Sequence, residues 1–483
     1  MTAFLIALAT LVVGYFVYGL IVEKIFGIDP KRDVPANYMR DNVDYLPMPT
    51  WKVFLIQFLN IAGLGPIFGA IMGVMFGPAA FIWIVVGTIF AGAVHDFISG
   101  AVSIRARGAS LPEIVGNELG PSVKQVMRVF SLVLMVLVGA VFVSQPADLI
   151  ASMTPESLDR VFWVVVIFAY YMLATVLPID KLIGNLYPLF GFALLFMAVG
   201  ILAVLIFGDY SLNIDFAQGL QSHHPKGMPV FPMMFVSIAC GAISGFHATQ
   251  SPMMARCLKN EKLARPVFYG AMVAEGIVAL IWAAAAIAFT GGYEQLATYM
   301  AEHNNSAAAL VKDVSVTWLG ALGGVLALLG VIAAPITSGD TALRSARLIA
   351  ADFLHIDQSK IVKRLLVSVP IFVATFFIML IDFSVLWRYF AWCNQTLAVF
   401  TLWAITVYLA RHKKAYIITL IPAIFMTAVS VSYILFAPSP EGFGLGYNVA
   451  VGCGGAVAAV LTVVVLAYIR RINNGKLKRS FDY

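Results

Sequence analysis

Apolar runs close to twenty residues long recur along the whole chain, each followed by a short polar segment. A hydrocarbon core about 30 Å thick is crossed by about 20 helical residues. The runs therefore predict an all-α integral membrane protein with about thirteen spans, at 2–23, 51–77, 80–104, 124–143, 161–179, 185–207, 229–254, 266–289, 317–342, 364–381, 384–410, 415–436 and 446–469. The first run has no basic leader and no small-residue cleavage site, so it reads as a retained helix and not as a signal peptide. No segment between spans is long or polar enough to form a separate soluble domain.

Most of these runs are plain Leu/Val/Ile/Ala/Phe helices, and two are not. The run 51–77 contains Asn60-Ile-Ala-Gly-Leu-Gly-Pro66, with Gly63, Gly65 and Pro66 at mid-membrane. Proline removes a helical hydrogen bond and the glycines permit non-helical backbone. The run 229–254 places Ser244, Gly245, His247, Thr249, Gln250, Ser251 and Pro252 where lipid-facing residues would otherwise stand. Backbone released from helical pairing is tolerated at that depth only where it is buried in protein or lines a cavity. For either run alone, a proline kink with small packing residues is an equal explanation. Together they begin five spans apart, so they enter from opposite faces, as in inverted repeats whose discontinuous helices meet at a midplane site. This arrangement predicts a five-plus-five inverted-repeat architecture: residues 1–50 as an N-terminal helix and loop, 51–228 and 229–410 as the two repeats, and 411–483 as two further helices and a basic tail. It nominates Asn60, Gly63, Gly65, Pro66, Ser244, Gly245, His247, Gln250 and Ser251 as substrate-binding residues.

Composition fits this picture. Of 483 residues, 61% are hydrophobic and 12% charged, about half the charge fraction of soluble globular chains. The net charge of +6 does not point to nucleic acid, because the basic residues sit in alternate loops. With Lys and Arg retained on the cytoplasmic side, the N-terminus is expected outside and the C-terminus inside a bacterial inner membrane. All but four of the 31 basic residues obey that alternation, the exceptions being Arg160, Lys226, Lys312 and Arg388. Cys240, Cys257, Cys393 and Cys453 form no C-x-x-C pair and are expected to be reduced thiols without metal or disulfide.

Charge within the bilayer is costly and marks function or a buried partner. Three acids fall clearly within spans: Asp96, Glu275 and Asp340. Asp96 and Glu275 occupy the second helix of each repeat and are candidates for carrying a coupling proton, with a structural, hydrogen-bonded acid as the alternative. His95 adjoins Asp96 in sequence but points about 100° away on a helix, and is expected to be a core histidine. His247, within a break, is the better proton relay. Thr337, Ser338, Asp340 and Thr341 form a dense oxygen cluster at the expected cytoplasmic end of the ninth span. With the Ala62 carbonyl it could take Na⁺, or its hydroxyls could bond back to the helix while Asp340 pairs with Arg344 and Arg347.

At these residues the chain resembles a known family. Asn60-Ile-Ala-Gly-Leu-Gly-Pro66, Ala91-Gly-Ala-Val-His-Asp-Phe97, Gly108-Ala-Ser-Leu111 and Thr337-Ser-Gly-Asp-Thr-Ala-Leu-Arg344 are similar to motifs of the carbon starvation protein A (CstA) family, in the same order, from about residue 50 to about 400. The resemblance implies the LeuT-like five-plus-five fold of the amino acid–polyamine–organocation transporters, and uptake of peptides, or of pyruvate in some members, during carbon starvation. The chain is shorter than the best-known members, so additional helices are expected to be absent. His95 stands where the family often has glutamine.

The expected function is therefore a cation-coupled importer of small carbon nutrients, not an enzyme, with no cofactor beyond H⁺ or Na⁺ as coupling ion. A channel or an ion-translocating subunit of an energy-converting complex is the competing class. Such a subunit relies on mid-membrane lysines, and no lysine lies deep in any span. Metallohydrolase, nucleophile-elbow and P-loop motifs are also missing from the sequence.

Overall fold

The computed structural model describes residues 1–474 apart from 42, 152–153, 177–182, 213, 215, 217–220, 304 and 382. The end of the expected run 161–179, Lys181, and the tail residues Lys476, Lys478 and Arg479 lie outside the described residues. The chain forms α1 (Thr2–Phe26), α2 (Thr50–Ile61), α3 (Gly65–Val74), α4 (Ala79–Arg105), α5 (Leu111–Leu119), α6 (Pro121–Ala151), α7 (Arg160–Val176) and α8 (Ile183–Phe207). After a loop follow α9 (Phe235–Ser237), α10 (Gly245–Ala255), α11 (Glu261–Thr290), α12 (Tyr293–Glu302), α13 (Ala307–Ala327) and α14 (Ala333–Leu354). The last four are α15 (Ile361–Ile378), α16 (Phe383–Arg411), α17 (Ile417–Phe436) and α18 (Tyr447–Asn473). Among the described residues, ten helices are long and apolar enough to cross a membrane, and the bent pair α2–α3 brings the number to eleven. This is a multi-pass membrane protein.

Burial separates a core from a lipid-facing ring. Only 22% of the apolar window is buried in α1 and in α18, against 83% in α4 and α11 and 89% in α16. Without water to drive helices together, close van der Waals approach holds such a core, and small residues permit it here. A Cβ on Gly92 of α4 would lie 2.2 Å from the Ala242 carbonyl oxygen, and one on Gly276 of α11 would lie 2.5 Å from Thr88 Oγ1.

Packing follows the two-fold logic of inverted repeats. The second half of the first broken helix, α3, packs on α11, while the second half of the other, α10, packs on α4. The long helices α6 and α14, third in each repeat, pack on one another.

Both breaks are present. Helix α2 ends at Ala62 (φ −82°, ψ 41°), and α3 leaves at 44° to it. Helix α9 ends at Ile238 (φ −90°, ψ 49°), and α10 restarts after an extended Ser244 (φ −143°, ψ 125°). The breaks touch directly: a Cβ on Gly65 would overlap Cys240 Sγ at 2.3 Å.

The ninth span differs from its expected bounds, 317–342. Gly320 (φ 63°, ψ −149°) interrupts α13, and the helix beyond it continues through a π-turn at Leu328–Ile332 into α14, which ends at Leu354. Arg344 and Arg347 suggest a membrane exit in the sequence, yet both are fully buried. They can remain inside because Asp44, in the loop before α2, reaches them at 3.3 and 3.6 Å. That loop is fixed by backbone hydrogen bonds from Leu46 to the Arg256 carbonyl and from Met48 to the Cys257 carbonyl. Asp340 consequently stands about 21 Å from the helix end at 1.5 Å per residue, and not near its terminus.

Candidate functional site

Helices α4, α10 and α11 bring the two intramembrane acids of the repeats to one histidine. His247 Nδ1 lies 2.8 Å from Asp96 Oδ2, and His247 Nε2 lies 3.4 Å from Glu275 Oε2. Asp96 Oδ1 takes the other histidine, His95 Nδ1, at 2.7 Å. All four side chains are fully buried. His95 is therefore a partner of Asp96 and not a bystander in the core. Its ring rotates back along the helix, and the short Asp side chain meets it despite the 100° separation. Among the described residues, Glu275 and His247 Nε2 have no hydrogen-bond partner.

Around this chain lies the first break. Asn60 and the unanticipated Gln57, three residues apart on one face of α2, have both amide atoms buried and unbonded to protein. Gln250 donates to Thr249 Oγ1 at 2.8 Å and keeps its carbonyl unbonded. An unpaired buried amide typically costs about 1–3 kcal/mol, so such groups mark a place where a polar ligand can be received. Ser251 instead donates to the His247 carbonyl at 3.0 Å and acts within its helix.

At the second break the N-terminus of α10 is already capped. Asn394 Oδ1 of α16 accepts from the Phe246 N–H at 2.7 Å and from Ser244 Oγ at 3.0 Å. Gln395 Nε2 donates to the Ile243 carbonyl at 3.1 Å. Gly245 permits this seam, since a Cβ there would lie 2.3 Å from the Ala398 nitrogen. Two adjacent amides within the span 384–410 were the available sequence signal for α16. Cys240, expected to be an inert thiol, sits at the contact with Gly65, its sulfur 3.7 Å from Ser244 Oγ and 3.6 Å from Asn394 Nδ2. Cys240, His247 and Glu275 place their side-chain donors within 4.8 Å of one another.

The oxygen cluster on α14 divides. Ser338 Oγ donates to the Leu59 carbonyl of α2 at 3.1 Å and faces Gly63. Thr337 Oγ1 donates to the Ala334 carbonyl at 2.7 Å, and Thr341 Oγ1 to the Ser338 carbonyl at 3.0 Å. Asp340 does not pair with Arg344 or Arg347. It accepts from Tyr187 of α8, and Tyr187 was not anticipated. Arg344 turns instead to Asp44 and the Ala174 carbonyl.

Two discontinuous helices in contact, each packed on the second helix of the other repeat, define a LeuT-like fold. The fold of a Na⁺-coupled sialic acid symporter in its substrate-bound outward-open state agrees, with a TM-score of 0.50 and 12% identity over 95% of this chain and 97% of that one. Within that class the chain belongs to the carbon starvation protein CstA family, whose model matches residues 1–156 and 151–322. An uncharacterized membrane protein of Haemophilus influenzae is 44% identical over 59% of this chain and 90% of its own length. The peptide transporter CstA of Campylobacter jejuni is 30% identical, over 57% of this chain and 48% of its own. The pyruvate/proton symporter BtsT of Escherichia coli is 28% identical, over 56% and 46%. The chain thus spans about half the length of these two named transporters. Fold and family together make it a multi-pass membrane protein of the CstA family with a LeuT-like fold.

Proposed function

We propose that the protein imports small carboxylates, either pyruvate-like acids or short peptides, across a bacterial inner membrane, with its basic face cytoplasmic and its C-terminus inside. The chain His95–Asp96–His247–Glu275 at the meeting of the breaks carries this reading. Asp96 faces a ring nitrogen on each oxygen, which suits an ionised acceptor. His247, donating to it from Nδ1, then presents Nε2 to Glu275, and one proton can be held between them. Loading and release of that proton from opposite faces would couple it to the substrate. The relatives that carry pyruvate with protons, and peptides, support the substrate class.

Counterflow in proteoliposomes preloaded with pyruvate or dialanine tests the proposal. Labelled substrate should accumulate transiently, and a channel would show no overshoot. The ion follows from repeating uptake with and without Na⁺ at fixed pH. With a proton carried by the histidine–carboxylate chain, Na⁺ removal should change the rate less than twofold in wild type, Thr337→Ala and Ser338→Ala. A Na⁺ requirement lost in both alanine variants would move coupling to the hydroxyls of α14.

A further inference from the structure

Four basic residues break the charge alternation, and the structure accounts for them unequally. Arg160 is spent on Asp148 in a half-exposed pair at 2.6 Å. Lys226 and Arg388, 162 positions apart, line one cavity of about 520 Å³ on the face opposite the basic loops. A cation there opposes the orientation signal read on insertion, so two at one opening call for a reason.

The cavity is built to hold them. The loop carrying Lys226 is tied down by a hydrogen bond from the His223 N–H to the Phe76 carbonyl, and the His224 ring lies 4.6 Å from that of Phe76. Arg388, one turn from the start of α16, pairs through Nε with Glu441 at 2.8 Å and lines the cavity as well. Gln145 of α6 adds an amide to the wall. Below lies an apolar floor: the Phe68 and Trp387 rings are 6.4 Å apart, and the Trp387 and Phe390 rings meet at a tilt of 54°, 5.5 Å apart. Phe390 meets Phe142, which packs against Gly63 of the first break. Burial and the neighbouring Lys226 hold the His224 imidazole below its ordinary range, so it is neutral at pH 7. The balance is two fixed cations against the single carboxylate of Glu441.

We propose that this cavity is a carboxylate-capture site, in which Lys226 and Arg388 take the substrate's carboxylate from solution above the aromatic layer that separates it from the two helix breaks. The assignment rests on the transport reading above. Arg388 supplies a planar fork suited to a carboxylate, and the aromatic floor accepts a small apolar body. Glu441 holds Arg388 until an incoming carboxylate competes for it. Capture therefore governs how much substrate is needed, and the steps beyond the aromatic layer govern the maximal rate.

Initial uptake of labelled pyruvate and, in parallel, labelled dialanine by the full chain in proteoliposomes tests this. Lys226→Gln and Arg388→Gln should each raise KM five- to tenfold with kcat within twofold of wild type. Glu441→Gln should lower KM two- to threefold, because Arg388 loses its resident partner. Raising ionic strength should raise the wild-type KM more steeply than that of Lys226→Gln. A shift with pyruvate alone assigns a monocarboxylate, and a shift with both assigns the shared carboxylate. Wild-type KM values in both glutamine variants, or a fall in kcat at unchanged KM, would overturn the site while leaving transport intact. Wild-type vesicles that carry neither probe would overturn the transport reading, and the capture site with it.

Discussion

Asp96→Asn and Glu275→Gln each abolish uphill accumulation of substrate while leaving counterflow within about threefold of wild type. Both changes keep the volume and polarity of the side chain; Glu275→Gln removes the carboxyl that shares the proton, and Asp96→Asn removes the carboxylate that holds His247 in its proton-accepting form. Counterflow needs only the alternation of the loaded carrier, so it survives. Concentrative uptake needs the proton gradient, and its size depends on the substrate. A one-unit pH gradient supplies about 1.4 kcal/mol per proton, a tenfold accumulation. A membrane potential adds about 2.3 kcal/mol per 100 mV for each net charge moved. A zwitterionic peptide with one proton carries that charge; a monocarboxylate with one proton does not. Wild-type vesicles should thus accumulate dialanine under a potential alone and pyruvate only under a pH gradient, and both variants should stop at the equilibrium level. Concentrative uptake at wild-type levels in both variants would show that the buried acids only tie helices together.

The breaks and the acids were legible in the sequence because each violates a strong rule of the bilayer. Glycine, proline and a run of small polar residues have few explanations at mid-membrane, and five-span spacing links one such break to the other without any contact being known. What joins them was not legible. Asp96 and His247 lie 151 positions apart, and nothing in either segment names the other. The same is true of Asn394 with Ser244 and of Tyr187 with Asp340. The extension of the ninth helix beyond its expected bounds has the same origin. Two arginines look like the end of the helix until their counter-charge, 300 positions away in a loop, is placed beside them. Periodicity and cost identify which residues are unusual, and tertiary packing alone tells which of them answer one another.

That counter-charge is the basis of the second large effect: Asp44→Asn destabilises the protein and opens its basic face. Burial would raise the Asp44 carboxyl, but Arg347, Arg344, Arg256 and Arg364 together hold it below the usual carboxylate range. Removing one partner from a buried ion pair costs about 3–5 kcal/mol, because the remaining charge keeps its desolvation penalty. Asparagine would leave Arg344 and Arg347 without their carboxylate. The stabilisation from a depressed carboxylate is present above its unfolded value near 4 and is lost as pH falls through the folded value. At neutral pH the variant therefore imitates what only strong acid does to wild type. Cys257 reports the opening. Its sulfur is 4.0 Å from the Asp44 carbonyl, it is fully buried, and burial pushes its thiol up to about 12, so it is inert while the loop is seated. In a Cys453→Ser background, Asp44→Asn should raise maleimide labelling at Cys257 at least tenfold and lower the melting temperature in detergent. Adding Arg347→Gln should recover part of both losses, since one buried cation then no longer lacks its partner. Unchanged labelling and melting in Asp44→Asn would mean that the arginines are held by their other contacts and that the loop before α2 does not close this face.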